Sequence, residues 1–236
     1  MSIKQITDQL VKELKPLSFK SPVTHVYNPL EYSRKSYDVY FDRFGKGAKE
    51  ILLIGMNPGP FGMVQTGIPF GEVEAVKDWL QIEEPVGQPG NSHPKRPVLG
   101  FDCRRSEVSG RRVWGWAKDQ FGSPETFFKR FMVLNYCPLV FIEESGRNRT
   151  PDKLPKHERE SLFDSCDKAL KQTIELFKPK HVIGVGAFAE KRAIKVLEGM
   201  DVRIGRITHP SPANPKANRG WEECIAVEFS NMGITI

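Results

Sequence analysis

The chain has 236 residues, 27% of them charged and 39% hydrophobic, proportions that suit an ordinary globular protein with one sizeable core. Its 35 Lys and Arg against 29 Asp and Glu give a formal net charge of +6, which permits a polyanionic partner without requiring one. No run of about 18 apolar residues is present, which excludes a transmembrane helix.

The start, Met1-Ser2-Ile3-Lys4-Gln5, lacks a signal-peptide apolar stretch. An intracellular protein is therefore expected, cytoplasmic if prokaryotic and nuclear if eukaryotic. Ile6, Leu10, Val11 and Leu14 recur at helical spacing, and a second helix is predicted over Glu31 to Phe44. Residues 1–47 read as a helical extension packed on the rest. Lys49 to Ile54 is the first predicted strand, followed by a helix from Glu72 to Leu80. Gln81 to Gly110 holds four Pro and four Gly and reads as a long loop, a feature that is often functional inside a domain. Arg111 to Phe121 returns to helix. Ser123-Pro124 offers an N-cap and a Pro at the first helical position, opening a short helix to Arg130.

Phe131 to Leu134 is the second strand, ending at Asn135. Leu162, Cys166, Ala169, Leu170, Ile174 and Phe177 mark a long helix over Leu154 to Phe177. Lys180 to Val185 is the third strand, Ala187 to Leu197 its helix, Val202 to Ile207 the fourth strand, and Trp221 to Asn231 the closing helix. Strands alternating with helices predict an α/β fold: a central four-stranded parallel sheet with helices on both faces. No repeat, low-complexity tract or linker interrupts it, so residues 1–236 are read as a single domain.

Two Pro/Gly-rich loops follow apolar runs. Gly55-Met56-Asn57-Pro58-Gly59-Pro60-Phe61-Gly62-Met63 follows Ile51–Ile54, and His209-Pro210-Ser211-Pro212-Ala213-Asn214-Pro215 follows Val202–Thr208. Open α/β sheets place ligands in loops at the carboxyl ends of their strands. Pro stiffens such a loop and Gly sharpens it. Asn57 and His209 are the polar side chains these loops carry, and Asn135 ends a third strand. An amide has one acceptor and two donors, so it can read a base edge or orient a water; the simpler reading of each Asn is a turn-former. Phe70, in Ile68-Pro69-Phe70-Gly71, reads equally as core or as a stacking platform.

Other motifs carry less. Gly184-Val185-Gly186-Ala187-Phe188-Ala189 fits a dinucleotide fingerprint after a strand, but Asp201 precedes the following strand instead of ending it. A tight strand-to-helix turn is the favoured reading, against a nucleotide-dependent oxidoreductase. The histidines His25, His93, His157, His181 and His209 form no metal-ligand pair. Cys103, Cys137, Cys166 and Cys224 are far apart and form no CxxC, so no zinc ribbon is expected. Cys137 and Cys166 sit in core patterns, which argues against a four-cysteine iron–sulfur site. Ser211 lacks the surrounding pattern of a serine nucleophile.

The chain closely resembles the single-strand-selective monofunctional uracil-DNA glycosylases. The segments that carry this are GMNPGPFGMVQTGIPFG at 55–71, HPKRPVLG at 93–100, SEVSG at 106–110, NYCPL at 135–139, SGRNRTP at 145–151 and HPSPANPKANRGW at 209–221. The resemblance covers about residues 20 to 230. It implies a monomeric DNA glycosylase of base excision repair that flips uracil and related bases from single- or double-stranded DNA and hydrolyses the glycosidic bond. It implies Asn57 and His209 as catalytic residues, with no metal or organic cofactor. Met56, Gly59, Pro60, Met63, Phe70 and Asn135 are the implied base-binding residues. DNA contacts are expected from Ser211, Pro212, Ala213, Asn214, Pro215, Lys216, Asn218 and Arg219. The wider superfamily typically begins its first motif with G-Q-D-P-Y. Here Asn57 replaces the Asp and Gly59 the Tyr, which removes a carboxylate base and leaves room beside C5 of the base. Ala213 stands where relatives often carry a large basic residue. The rival reading from a different class is a non-catalytic nucleic-acid binding module.

Overall fold

A computed structural model describes residues 1–236. Its centre is a four-stranded parallel sheet in the order β3-β2-β6-β7, built from Phe131–Asn135, Ile51–Gly55, His181–Val185 and Arg203–Ile207. The apolar run Ile51–Ile54 becomes a central strand because all five residues of β2 are buried. Burying such side chains stabilises the fold by roughly 1.5–3 kcal/mol each before entropy is subtracted. Register aligns Gly55 with Asn135 and Val185 with Ile207, so the loops after β2, β3 and β7 leave from one end of the sheet.

Helices cover the sheet in two groups. α1 (Ile3–Leu14) packs on α7 (Lys156–Phe177), which meets α8 (Ala187–Val196) behind β6. α3 (Arg34–Phe44), α5 (Val108–Phe121), α6 (Pro124–Arg130) and α9 (Trp221–Asn231) form the second group, with α9 against β7. One contiguous core runs from Leu14 to Ile234. Trp114, Trp116, Phe127, Phe131 and Phe229 pack within it, mostly edge to face. Ser123 caps α6 by accepting from the Thr126 N–H, with Pro124 in the first turn, as its sequence predicts. No helix is long and apolar enough to cross a membrane.

A second sheet departs from the sequence expectation. β1 (Val23–Tyr27) pairs antiparallel with β4 (Val140–Glu143), and β4 with the two-residue β5 (Asn148–Arg149). The first 47 residues are therefore not helical throughout. The helix predicted over 31–44 is broken at Ser33, leaving a short α2 (Pro29–Tyr32) ahead of α3. The helix predicted over 72–80 is present over 73–79, with residues 75–79 wound as a π-helical turn, and α5 starts three residues before the predicted Arg111. The dinucleotide reading of residues 184–189 has a packing explanation. A Cβ at Gly184 would lie 2.2 Å from the Glu190 nitrogen, and Gly186, at φ +93°, lies against His209. The glycines let α8 and the second loop close on β6. All four cysteines are free, with Cys137 and Cys166 fully buried.

Candidate active site

The two loops meet at the carboxyl ends of the strands around a cavity of about 400 Å³. Met56, Asn57, Gly59, Met63, Phe70, Asn135, His209 and Ser211 all line it. Pro60 does not; its carbonyl accepts from Gln65 Nε2 at 2.9 Å and fastens the first loop. A larger open hollow of about 970 Å³ lies at the amino ends of the strands, beside His181 and Arg203. None of the predicted loops reaches it, and ligands in open α/β sheets bind at the other end.

Phe70 and Asn135 come together over Gly55. A Cβ at residue 55 would sit 2.4 Å from Asn135 Oδ1 and 2.7 Å from the Phe70 ring, so only glycine fits there. Phe70 has φ +53°, a left-handed conformation that is costly for an aromatic residue. Its carbonyl accepts from Trp114 Nε1 at 3.0 Å, which fixes the backbone that carries the ring. Asn135 Nδ2 lies 3.2 Å from Met63 Sδ, a weak acceptor.

Asn57 is oriented by the bond that its Nδ2 donates to the Leu139 carbonyl at 3.1 Å. Its Oδ1 remains as an acceptor. His209 is oriented through its ring: the Ser211 N–H donates to Nδ1 at 3.1 Å. The neutral imidazole therefore carries its proton on Nε2. Burial lowers the His209 pKa below its ordinary value, which favours that neutral form. Hydrogen bonds to side chains of α9 fix Thr208, the residue before His209. Thr208 N–H and Oγ1 donate to Glu228 at 2.6 and 2.7 Å, and the Thr208 carbonyl accepts from Trp221 Nε1 at 2.7 Å. Lys216 Nζ donates to the same Glu228 carboxylate at 2.8 Å. Burial works to raise the Glu228 pKa, but the bonds from Lys216 and Thr208 outweigh it and hold it below the usual carboxylate value.

The remaining residues of the second loop mostly bond to the loop itself. Asn214 Nδ2 donates to the His209 carbonyl, Asn218 Nδ2 to the Pro212 carbonyl, and the Ala213 N–H to Ser211 Oγ. Pro212, Ala213, Pro215, Lys216, Asn218 and Arg219 are exposed on its outer side. Arg112, from α5, donates to the Pro210 carbonyl at 2.8 Å and to Asn218 Oδ1 at 3.0 Å.

Sequence reasoning did not assign Pro58, Glu107, Ser109, Asn148 or Thr150 to the cavity, yet all five line it. Glu107 accepts from the Ser109 and Gly110 N–H groups at 3.2 and 2.7 Å, capping α5. Burial raises its pKa against the lowering effect of those bonds. Asn148 Nδ2 donates to the Pro58 carbonyl at 3.2 Å. The segments 55–71, 106–110 and 145–151 contain these residues, but nothing in them showed which side chains turn inward.

The model of the uracil DNA glycosylase superfamily matches residues 41–228. Proteins named single-strand selective monofunctional uracil DNA glycosylase from mouse and rat are each 46% identical over 228 residues, covering 96% of this chain and 82% of theirs. The one from cattle is also 46% identical, with 84% of its length covered. Among solved structures, wild-type SMUG2 of Pedobacter heparinus aligns with a TM-score of 0.69 over 97% of both chains at 19% identity, which supports the fold alone. The chain thus belongs to the uracil DNA glycosylase superfamily, within its single-strand selective monofunctional family, and is a glycosylase by that membership.

Proposed function

We propose that the chain excises uracil from DNA, as a single domain and a monomer acting inside the cell, by flipping the nucleotide into the cavity and hydrolysing its glycosidic bond. The observation that carries this is the convergence of Asn57 and Phe70, Asn135, and His209 from three separate chain segments on one cavity. Flipping costs a few kcal/mol, and least from a single strand or a mismatch. Phe70 stacks on the extruded base. Asn135 pairs with its N3–O4 edge, and cytosine, with an amino group there and no N3 proton, presents mismatched groups. Sites built on such hydrogen bonds discriminate strongly.

Asn57 is no carboxylate base, so bond breaking runs ahead of water attack in a loose, oxocarbenium-like transition state. Negative charge then gathers on the leaving pyrimidine, chiefly at O2. The Nε2–H of neutral His209 donates to that oxygen, with backbone N–H groups near Met56 assisting. A preorganised donor of this kind contributes about 3 kcal/mol. Asn57 Oδ1, left free by the bond to Leu139, accepts from the attacking water. No lysine nucleophile takes part, so the product is an intact strand with an abasic site.

Gly59 leaves space at the C5 edge. A Cβ there would be 3.7 Å from the Glu107 carboxyl, and a larger side chain would close the gap. On this basis 5-hydroxymethyluracil is accepted beside uracil, and deaminated purines are further candidates. DNA phosphates are held at the outer side of the second loop, by Arg219 above all, since Lys216 is already paired with Glu228.

The test is incubation with a labelled uracil oligonucleotide in the presence of chelator, followed by alkali. Breakage at uracil only after alkali is expected. Breaks before alkali contradict the monofunctional reading, and binding without base release returns the chain to a non-catalytic binding module.

A further inference from the structure

A second group of cations lies beyond the first loop. Lys95, Arg96, Arg104 and Arg105 come from one long loop and Arg147 from a turn about 40 residues further on, and none forms an ion pair, whereas Arg149 nearby is paired with Glu143 at 2.9 Å. The fold brings Lys95, Arg96 and Arg105 together, and Arg104 and Arg147 are exposed chain neighbours of Arg105 and Gly146. Arg96 Nε donates to the Gly146 carbonyl at 2.7 Å, and a Cβ at Gly146 would lie 3.2 Å from the Lys95 Cβ. Arg105 and Arg96 both stand over the Phe61 ring, with their guanidinium carbons 4.2 and 5.4 Å from its centroid. Asp102, Glu107, Glu143 and Glu144 are the acids nearby; Glu143 is paired with Arg149, Glu107 accepts from the Ser109 and Gly110 N–H groups, and none of the four pairs with these cations.

Phe61 connects this group to the active site. It belongs to the first loop, whose Asn57, Pro58 and Gly59 line the cavity. Gln65 Nε2 bridges the Pro60 and Pro97 carbonyls at 2.9 and 3.2 Å, and Asn148 ties the 146–148 turn to Pro58. The cations are thus held on the loop that borders the cavity, on a framework separate from the second loop. Arg96 spends Nε and Nη1 on the Gly146 and Lys95 carbonyls, whereas Arg105, stacked on the ring, loses rotational freedom but keeps its N–H edges free, which suits it to phosphate oxygens. Unpaired arginines repel one another, and a fold that gathers them without an ion pair among them favours an anionic ligand.

We propose that this patch is a second DNA-binding surface, which holds the phosphodiester backbone of the strand where it runs past the first loop. The proposal rests on the reading that the cavity receives a nucleotide of that strand. The second loop and the patch then grip the backbone at separate points, and the flipped nucleotide lies between them. Phosphate contacts fix register without reading sequence, so the patch contributes to affinity and not to the choice of base.

The experiment uses the full chain and an undamaged single-stranded oligonucleotide, whose binding is titrated at several salt concentrations. The probe contains no uracil, so the result is independent of whether the glycosylase reading holds. Arg104→Gln combined with Arg105→Gln is expected to weaken binding about tenfold at low salt. It should also flatten the slope of log affinity against log salt by about 0.7 for each phosphate no longer neutralised. Lys at both positions is expected to restore the slope. The single-turnover rate on a uracil strand at saturating protein should stay at the wild-type value. Affinity and slope unchanged in the Gln variant, with an unchanged melting temperature, would overturn the proposal. So would a loss of affinity with no change in slope, because phosphate binding acts through released counterions.

Discussion

His209 shows how much the proposed chemistry asks of one side chain. It must be neutral, in one tautomer and aimed at one oxygen. The Ser211 N–H on Nδ1 sets the tautomer, and burial lowers the pKa below 6.5. Protonation at Nδ1 would turn that acceptor into a second donor facing the Ser211 N–H. The single-turnover rate on uracil is therefore expected to be level above about pH 6.5 and to fall in acid, with the midpoint at which His209 itself titrates by NMR. A rate that rises as the ring gains its proton contradicts the neutral-donor role. The same depression affects stability. The unfolded chain binds a proton at His209 before the folded one does, so this contribution is complete above the ordinary value of 6.5. It is lost as pH falls from there towards the folded value. Asn57, Asn135 and His209 were legible as candidates because each is a polar residue beside a strand end, whereas Phe70, away from any strand end, was singled out by the resemblance. Glu107 was not, because a carboxylate in a Pro/Gly-rich loop reads as solvated until its N–H partners and its burial are seen.

At the scale of elements, the second loop is held from behind. Glu228 on α9 accepts from Thr208 twice and from Lys216 once, so one carboxylate joins the end of β7, the loop and α9. Removing it leaves the Thr208 donors part-buried without a partner, at a cost of about 1–3 kcal/mol. It also frees the residue next to His209, and a shift of about 1 Å can cost roughly 100-fold in rate. Glu228→Ala is expected to lower the saturating single-turnover rate about tenfold or more with little change in DNA affinity, and Glu228→Gln to recover part of it. A lowered melting temperature with the wild-type rate would confine Glu228 to stability. On the same loop, Ala213 is exposed, with its N–H on Ser211 Oγ. Its methyl group cannot fill the space left by a flipped base in a duplex. Ala213→Arg is expected to raise activity on double-stranded uracil more than on single-stranded uracil at two salt concentrations, through occupation of that space. An equal gain on both that vanishes at high salt reduces the effect to charge. The strands β2, β3 and β6 were readable because each carries an apolar, buried run, and β7, with Arg203 and Arg206 in it, because it stands between two helices and ahead of the Pro-rich loop. β1 was not: its central residues Thr24, His25 and Val26 are not fully buried, and its partner lies more than 100 residues away in sequence.

Across the whole molecule, the central sheet turns distance in sequence into proximity. Gly55 and Asn135 pair in register, β6 carries Gly186 to the side of His209, and the loop after β7 closes the cavity. The order of strands and helices therefore makes the site, and the alternation of apolar runs with amphipathic stretches made that order predictable. The small antiparallel sheet and the 81–110 loop were less predictable, since their form depends on long-range hydrogen bonds such as Tyr27 to the Arg96 carbonyl. The central claim is that Asn57 and His209 carry out base release in this cavity. Its most direct test is the single-turnover release of free uracil from a single-stranded oligonucleotide by Asn57→Ala and His209→Ala, with folding checked by circular dichroism and binding measured separately. Each variant is expected to be slower by about 100-fold or more, with DNA affinity largely kept. Uracil release at the wild-type rate by either folded variant, or a loss confined to binding, would contradict it.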